Sequence, residues 1–306
     1  MNVDIILCTK DRPSAITSLL YNISTLASLE YAKITVVDAS QSSAEVNYEQ
    51  FSELFTIQVI RSAPGLPTQR NLGLKATANP IIVFLDDDVV LPQNFISATL
   101  SEFSKDDDIA GVGYLLKGVE FHDKKLLKCI SVRLNGRHFG QVSKSGLNYW
   151  YPEVGNKLNF RPPMWLPGCA MAFRRSQITG MLFNSVLEKG ILGGYALGED
   201  VDFTLALVAN GKKLALTLDA IVDHYEAPGE RDNRHQLARA QGDWLKYLAK
   251  SQNQYISSSR IFSRLILEFL YLHVFMFIGR GNTSARVCAR KRLTGFLSSS
   301  PYSSQN

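Results

Sequence analysis

Apolar runs and amphipathic stretches alternate through the first third of the chain. Short, continuous apolar runs predict strands buried on both faces, as in a parallel sheet, at Val3–Cys8, Lys33–Asp38, Ile57–Ile60 and Ile81–Leu85. Apolar residues at helical spacing from Ile16 to Leu26 predict a helix that begins near Asp11 or Arg12, and another helix is predicted from Thr68. This β–α–β–α order predicts an α/β domain with a doubly wound, mostly parallel sheet.

Less regular patterns follow in the rest of the chain. They predict helices at Asn94–Phe103, after Gly198 and at Arg234–Lys250, and strands at Ile109–Leu115, Ala170–Phe173, Lys213–Leu218 and Ala220–Asp223. Gly211 is the expected C-terminal cap of the helix after Gly198. We therefore expect a domain over residues 1–230, a C-terminal helical extension over 231–297 and a Ser-rich, disordered tail over 298–306.

The positive charge of the chain is concentrated at its C-terminal end. The net charge is +5, and the chain from Arg280 onward has no acidic residue and five basic ones: Arg280, Arg286, Arg290, Lys291 and Arg292. The preceding part is neutral, which argues against a nucleic-acid-binding protein because such proteins carry a basic face. The four cysteines form no CxxC pair, and no signal peptide is evident, so a cytoplasmic location is expected.

The most hydrophobic stretch, Ile261–Ile278, leads into this basic end. Arg264, Glu268 and His273 interrupt it, and its length and polarity argue against a membrane span. An apolar helical face with basic flanks is typical of a helix that lies on an anionic membrane surface. We therefore expect residues 261–292 to attach the protein peripherally to the inner face of a membrane, with a helix packed on the body or in a dimer interface as the alternative. The expected apolar face consists of Phe262, Leu265, Ile266, Phe269, Leu272, Phe275 and Met276.

Three adjacent aspartates, Asp86 to Asp88, directly follow the fourth predicted strand. Ligands of open α/β sheets bind beyond the carboxyl ends of the strands, and adjacent carboxylates are costly to bury unless a cation neutralises them. Oxygen ligands suit Mg²⁺ or Mn²⁺, so the pattern favours a metal–phosphate site over a solvated acidic turn that caps the next helix. The chain has no GxGxxG after its first strand and no GxxxxGK[ST], which leaves a dinucleotide-binding fold and a P-loop without support.

Six segments of the chain, taken in order, carry a family resemblance. They are ILCTKDR at 6–12, VVDAS at 36–40, PGLPTQRNLG at 64–73, FLDDDVVLP at 84–92, LPGCAMAFRR at 166–175 and GEDVDF at 198–203. In this order they resemble family 2 glycosyltransferases of the GT-A fold, of the bacterial polysaccharide type, over about residues 1–225. The resemblance implies that a sugar is transferred with inversion from a nucleotide diphosphate sugar, with Mg²⁺ or Mn²⁺ as cofactor. It also implies a nucleotide-sugar half over 1–108 and an acceptor half over 109–230.

The resemblance assigns roles to individual residues. Its implied nucleotide-sugar-binding residues are Thr9, Arg12, Asp38, Arg70, Asn71, Asp86, Asp87 and Gly168, with Asp38 on the base and Arg70 and Asn71 near the ribose and diphosphate. Its implied metal ligands are Asp86, Asp88 and His224. The general base is implied to be Asp200, with Glu199 beside it. Without the resemblance, these two residues indicate only the first turn of a helix, where the helix dipole stabilises a carboxylate. Asp202 is the alternative base.

The middle of the chain is expected to build the acceptor side. Aromatic side chains there either stack on sugar rings or belong to the core: Tyr149, Trp150, Tyr151 and Trp165. The charged segment Ala227–Asn233 is either a lid over the donor or an ordinary surface loop. The expected acceptor is a hydroxyl of a glycan or a lipid-linked glycan. The alternatives to glycosyl transfer are a sugar nucleotidyltransferase and a non-catalytic membrane-surface scaffold of a polysaccharide assembly complex.

Overall fold

In the part of the chain that the structure describes, eight strands form one sheet. The computed structural model describes residues 2–41, 46–117, 140–148, 162–190, 197–225, 234–277 and 283–298. The strands are β1 Val3–Thr9, β2 Ala32–Asp38, β3 Ile57–Arg61, β4 Ile81–Asp86, β5 Val89–Val90, β6 Ile109–Lys117, β7 Ala170–Arg174 and β8 Lys213–His224. They lie in the order β3-β2-β1-β4-β7-β6-β8-β5.

The sheet is mixed, and its larger part is parallel as the sequence predicts. Strands β1 to β4 pair in parallel, and so do β6 and β8. Strand β7 lies antiparallel between β4 and β6, and β5 is antiparallel to β8. The two strands predicted at Lys213–Leu218 and Ala220–Asp223 are one strand, β8, whose pairing with β6 shifts register between Tyr114 and Leu115. Leu218, Asp219 and Ala220 have no register partner on β6 at this shift, and they coincide with the break in the sequence pattern.

The helices begin and end close to the predicted positions. They are α1 Pro13–Ser24, α2 Leu66–Ala76, α3 Phe95–Lys105, α4 Glu199–Ala209, α5 Arg234–Ser251, α6 Ser258–Phe277 and α7 Thr283–Leu297. Helix α1 has Pro13 at its first position, where the missing N–H costs nothing. Helix α4 is followed by Gly211 at φ +75°, a left-handed conformation that glycine adopts without strain.

The described chain divides into two compact units. The first falls within Met1–Glu120, Trp150–Ser185 and Glu199–Ala227 and contains the sheet with α1 to α4. Its core is formed by strand residues such as Ile5, Phe84 and Phe173, all of them buried. The second unit falls within Phe121–Tyr149, Val186–Gly198 and Pro228–Asn306 and contains α5 to α7.

Helices α5 and α7 of the second unit cross at two glycines. A Cβ atom on Gly242 would collide with the carbonyl oxygen of Arg292, and one on Gly295 would collide with that of Arg239. Glycine is therefore required at both positions for the two backbones to approach this closely.

Helix α6 does not have the single apolar face that its sequence suggests. Leu265 and Leu272 are buried, together with Ile261, whereas Phe262, Leu267 and Leu270 are 41, 49 and 52% exposed. The apolar residues therefore form an inner face that packs and an outer face that meets solvent. In the part of the chain that the structure describes, no helix has the length and hydropathy that a membrane span requires.

Candidate active site

The aspartates that follow β4 meet a histidine from β8. Strand β5 pairs with β8 so that Val89 is opposite His224, which brings the imidazole beside Asp88 with Nε2 3.2 Å from Oδ1. One possible ligand atom from each of Asp86, Asp88 and His224 lies within 4.8 Å of the others. Two carboxylate oxygens and an imidazole nitrogen form a donor set that suits Mn²⁺ or Mg²⁺. The residues that the resemblance implies as metal ligands are thus brought together and fit such an ion.

The carboxylates of Asp86, Asp87 and Asp88 repel one another, and each is at least partly buried. Burial raises the pKa of Asp86 to about 6; the Arg70 guanidinium opposes this shift, and the neighbouring charge of Asp88 adds to it. Burial also raises the pKa of Asp87. A cation at this position offsets the electrostatic cost of the cluster.

Thr9 and Arg12 hold the middle aspartate on the side of β1. The Thr9 hydroxyl donates to Asp87 Oδ2 at 2.7 Å, and Arg12 Nη1 lies 3.0 Å from Asp87 Oδ1 and 3.4 Å from Asp88 Oδ2. Three of the predicted nucleotide-sugar-binding residues therefore form one cluster at the carboxyl ends of β1 and β4.

Arg70 connects the aspartates to the start of α4. Its guanidinium is buried and donates to Glu199 Oε1 at 2.7 Å, to Asp86 Oδ1 at 3.1 Å and to the carbonyl oxygen of Gly168 at 2.9 Å. It also lies over the Phe183 ring, 5.4 Å from the ring centroid. Sequence reasoning missed this ion pair, because nothing in the local pattern near Arg70 or Glu199 indicates that α2 and α4 approach each other. The implied contact of Arg70 with the ribose or diphosphate stays a prediction.

Two backbone N–H groups hold the carboxylate of Asp200. One of them belongs to Gly168, whose carbonyl oxygen accepts from Arg70. Asp200 Oδ2 accepts a hydrogen bond from Gly168 N at 2.8 Å, and Asp200 Oδ1 accepts one from Val201 N at 2.8 Å. A Cβ atom on Gly168 would lie 3.0 Å from Arg70 Nη2 and 3.3 Å from Asp200 Cβ, so glycine leaves room for the arginine and the aspartate on either side. Burial raises the pKa of Asp200 to about 7, and the charge of Glu199 adds to this rise, while Arg70 and the two N–H donors lower it. Asp202, the alternative base, lies in the same first turn of α4.

Two further predicted residues make their contacts away from the metal cluster. Asp38 Oδ1 accepts from Ser40 N at 2.8 Å, and its Oδ2 accepts from Tyr48 at 2.8 Å and from Arg61 at 3.0 Å. The Asn71 amide donates to the carbonyl oxygen of Phe183 and accepts from its N–H, both at 2.8 Å, so it clamps a backbone segment. The implied donor contacts of Asp38 and Asn71 stay predictions.

The predicted acceptor aromatics lie mostly beyond the described residues. Tyr149, Trp150 and Tyr151, and the possible lid at Ala227–Asn233, fall outside the described residues. Trp165 is described and is buried, which agrees with the core alternative for that side chain.

Comparison with known proteins gives a family and a fold. The family model described as glycosyl transferase family 2 matches residues 4–177. No curated protein matches the sequence. Solved structures match over nearly the whole chain at low identity.

Three of these structures are similar to the chain as follows. The mannosyltransferase PcManGT from Pyrobaculum calidifontis in complex with GDP-Man and Mn²⁺ has a TM-score of 0.61 at 13% identity, over 97% of this chain and 87% of that one. TarS 1-349 of S. aureus has a TM-score of 0.55 at 16% identity, over 97% and 90%. GalNAc-T7 with UDP, GalNAc and Mn²⁺ has a TM-score of 0.57 at 14% identity, over 97% of this chain but only 56% of that one. At these identities the similarity shows the GT-A fold alone. Because the family model matches more than half of the residues, the chain belongs to glycosyl transferase family 2.

Proposed function

We propose that the protein transfers a sugar from a nucleotide diphosphate sugar to an acceptor hydroxyl, with inversion at the anomeric carbon. The observation that carries the proposal is the cluster of Asp86, Asp88 and His224 at the carboxyl end of β4, close to a buried Arg70–Glu199 pair and to Asp200. Similar structures contain UDP with Mn²⁺ and GDP-Man with Mn²⁺, which supports a nucleotide donor and a divalent ion here. Family membership favours glycosyl transfer over nucleotidyl transfer.

Asp86, Asp88 and His224 would hold Mg²⁺ or Mn²⁺ in this proposal. A bound ion of this kind neutralises diphosphate charge and acts as a Lewis acid for the leaving group. The guanidinium of Arg12 places a permanent positive charge beside Asp87 and Asp88, and this charge attracts the negatively charged diphosphate of the donor. Thr9 and Asp87 shape the adjacent side of the site through their own hydrogen bond.

Asp200 is the proposed general base. It removes the proton of the acceptor hydroxyl while that oxygen bonds to the anomeric carbon and the bond from this carbon to the diphosphate oxygen breaks. Two N–H donors fix the carboxylate, and a pKa of about 7 suits a base that operates near neutral pH. Glu199 is the neighbour of the base in this scheme, and its carboxylate is paired with Arg70 at 2.7 Å.

The proposed function is tested with the metal and a panel of donors. The protein is heated with Mn²⁺ and each of several UDP-, GDP- and dTDP-sugars, because a ligand that binds only the native state raises the unfolding temperature. We expect one donor to stabilise the protein only when the ion is present, and that donor to be turned over. If no donor raises the unfolding temperature, or if no donor is turned over, the proposal fails.

We also propose that the acceptor is a glycan or a lipid-linked glycan and that the protein is cytoplasmic and lies on the inner face of a membrane through residues 261–292. Helices α6 and α7 support this attachment through their charge. They contain one acidic residue, Glu268, which is paired with Arg292, and six basic ones: Arg260, Arg264, Arg286, Arg290, Lys291 and Arg292. A basic residue close to an anionic surface contributes about 1 kcal/mol.

The outer face of α6 supplies the apolar part of the same surface. Phe262, Leu267 and Leu270 are exposed there, and burial of such side chains in the interfacial region of a bilayer is favourable. Because these residues are exposed, they can be changed without opening the packed inner face of the helix.

Flotation of the full chain with lipid vesicles tests the attachment. We expect binding to vesicles with anionic lipid at low salt, weaker binding at high salt, and little binding to neutral vesicles. Leu267→Gln with Leu270→Gln should abolish flotation, whereas Leu182→Gln, at an equally exposed leucine of the other unit, should not. If the unchanged protein does not float, or if light scattering shows that the double variant loses a dimer instead, the outer face of α6 is not a membrane surface.

A further inference from the structure

The guanidinium of Arg70, on α2, is enclosed by protein groups. The side chain is 2% exposed, and both Nη atoms donate to protein acceptors: Nη1 to Glu199, and Nη2 to Asp86 and to the carbonyl oxygen of Gly168. A ligand that bonded to Nη1 or Nη2 would compete with these acceptors, and a buried acceptor that loses a charged partner is costly. The guanidinium is therefore arranged to hold groups of the protein.

Gly168 connects this guanidinium to the proposed general base. Its carbonyl oxygen accepts from Arg70 at 2.9 Å, and its N–H donates to Asp200 Oδ2 at 2.8 Å. Because both bonds are made by the backbone of one residue, a shift of Gly168 away from the arginine also moves the N–H that orients the aspartate.

A second connection runs through Glu199, the neighbour of Asp200 in the first turn of α4. Its carboxylate is buried and lies 2.7 Å from Arg70 Nη1. A planar guanidinium presents its donors in fixed directions, which a flexible ammonium group does not. The ion pair therefore fixes the start of α4 relative to α2.

An aromatic ring covers one face of the same guanidinium. Arg70 Cζ lies 5.4 Å from the centroid of the Phe183 ring, and this ring stacks on Phe203 of α4 with centroids 4.2 Å apart. Asn71, the next residue along α2, holds the backbone of Phe183 through two hydrogen bonds. Arg70 thus lies in a packed setting that leaves its guanidinium one orientation.

We propose, as a consequence that rests on the proposed function, that Arg70 is a positioning residue that aligns Asp200 and Asp86 and makes no contact of its own with the donor. One planar group then fixes the general base relative to a carboxylate of the metal cluster. Such alignment matters for the chemical step, because a displacement of about 1 Å at a reacting group can lower the rate by about 10²-fold. The competing role is the direct contact with the ribose or diphosphate that the family resemblance implies.

Arg70→Lys tests the proposal, because lysine keeps the positive charge beside Glu199 and Asp86 but loses the planar fork that joins three acceptors. UDP, GDP and dTDP are titrated by calorimetry into the full chain, and the nucleotide that binds the unchanged protein is then titrated into the variant. Mn²⁺ is kept at saturation, so that a weaker hold on the ion does not reduce nucleotide binding. We expect the nucleotide affinity to change little.

Turnover by the same variant gives the second readout. With the donor identified by thermal stabilisation and saturating Mn²⁺, kcat should fall by about tenfold or more, because the base is no longer aligned. A residue that only stabilises the fold would leave kcat unchanged at temperatures well below the unfolding transition.

Arg174 offers a matched control at the far end of β7. Its side chain is 12% exposed, its guanidinium lies 5.3 Å from the centroid of the Phe103 ring, and Nη2 donates to the carbonyl oxygen of Phe103 at 2.6 Å. Arg174→Lys should leave kcat and the nucleotide affinity unchanged, even if it lowers the unfolding temperature.

The outcomes separate this inference from the proposed function. If Arg70→Lys weakens nucleotide binding at saturating Mn²⁺ by about tenfold, the scale of a hydrogen bond to a charged group, Arg70 contacts the donor and the inference is overturned. An unchanged kcat, or an equal fall in kcat for Arg174→Lys, overturns it as well, and the proposed function stands in each of these cases. If the unchanged protein binds no nucleotide with Mn²⁺ and turns over no donor, the proposed function is overturned and this inference with it.

Discussion

Replacing Asp200 by asparagine isolates the proton transfer from the rest of the site. Asparagine has the same shape and keeps the hydrogen bond from Gly168 N through its amide oxygen, although its amide nitrogen cannot accept the one from Val201 N, and it cannot take up a proton at neutral pH. We expect donor binding with Mn²⁺ to change little and kcat to fall by roughly 10²-fold or more, the usual scale of general base catalysis.

The pH dependence of activity gives a second quantitative test of this prediction. A base must be deprotonated to act, so kcat/KM of the unchanged enzyme should rise with pH through the pKa of Asp200, at about 7. At about one unit below that pKa roughly a tenth of the molecules hold the active carboxylate, so kcat/KM there should be about tenfold below its plateau. The residual activity of Asp200→Asn should lack this rise.

Stability should respond to the same group in the opposite direction. The folded state retains the Asp200 proton between the ordinary pKa of 3.8 and about 7, whereas the unfolded chain has released it, so stability falls as pH rises through this window. Asp200→Asn carries no charge at any pH in this window, so its stability should lack this fall with pH.

The assay is steady-state turnover of the donor identified by thermal stabilisation, measured across the pH range, with denaturant unfolding alongside. Asp202→Asn is the matched control, because Asp202 is an aspartate in the same first turn of α4. Full turnover by Asp200→Asn would refute the reasoning, and a loss confined to Asp202→Asn would move the role of base to that residue.

Three further changes test the metal cluster, a backbone clamp and the helical unit. Asp88→Ala should abolish Mn²⁺-dependent binding of UDP and GDP while circular dichroism still reports a folded protein; unchanged binding would show that Asp88 is not a ligand. Asn71→Ala removes two hydrogen bonds to the Phe183 backbone and should lower the free energy of unfolding in urea by about 1–3 kcal/mol, and no change would contradict the clamp. Gly242→Ala should lower the unfolding temperature because its Cβ meets the Arg292 carbonyl, although alanine in a helix normally stabilises; a rise would mean that α5 and α7 can separate at little cost.

The sequence determined most strands and helices of the first unit and the place in the chain of the aspartates that are proposed as metal ligands. Continuous apolar runs at Val3–Cys8 and Ile81–Leu85 predict buried parallel strands, and β1 and β4 match them within one residue at each end. The position of Asp86 to Asp88 at a carboxyl end follows from strand direction alone. Such features are local, because side-chain periodicity and chain direction are fixed by neighbouring residues.

Only the tertiary structure decided which side chains meet across the sheet. Arg70 and Glu199 lie 129 positions apart in the chain, and Asp38 and Arg61 meet because β2 and β3 pair in a particular register. The antiparallel insertion of β7 between β4 and β6 likewise follows from packing that no local pattern encodes. Helix α6 shows the same limit, since its sequence has apolar residues on much of its surface and only its neighbours determine that Leu265 is buried while Leu270 is exposed. Local sequence fixes which faces are apolar, whereas the partner that covers each face is chosen by the free energy of the whole packed chain.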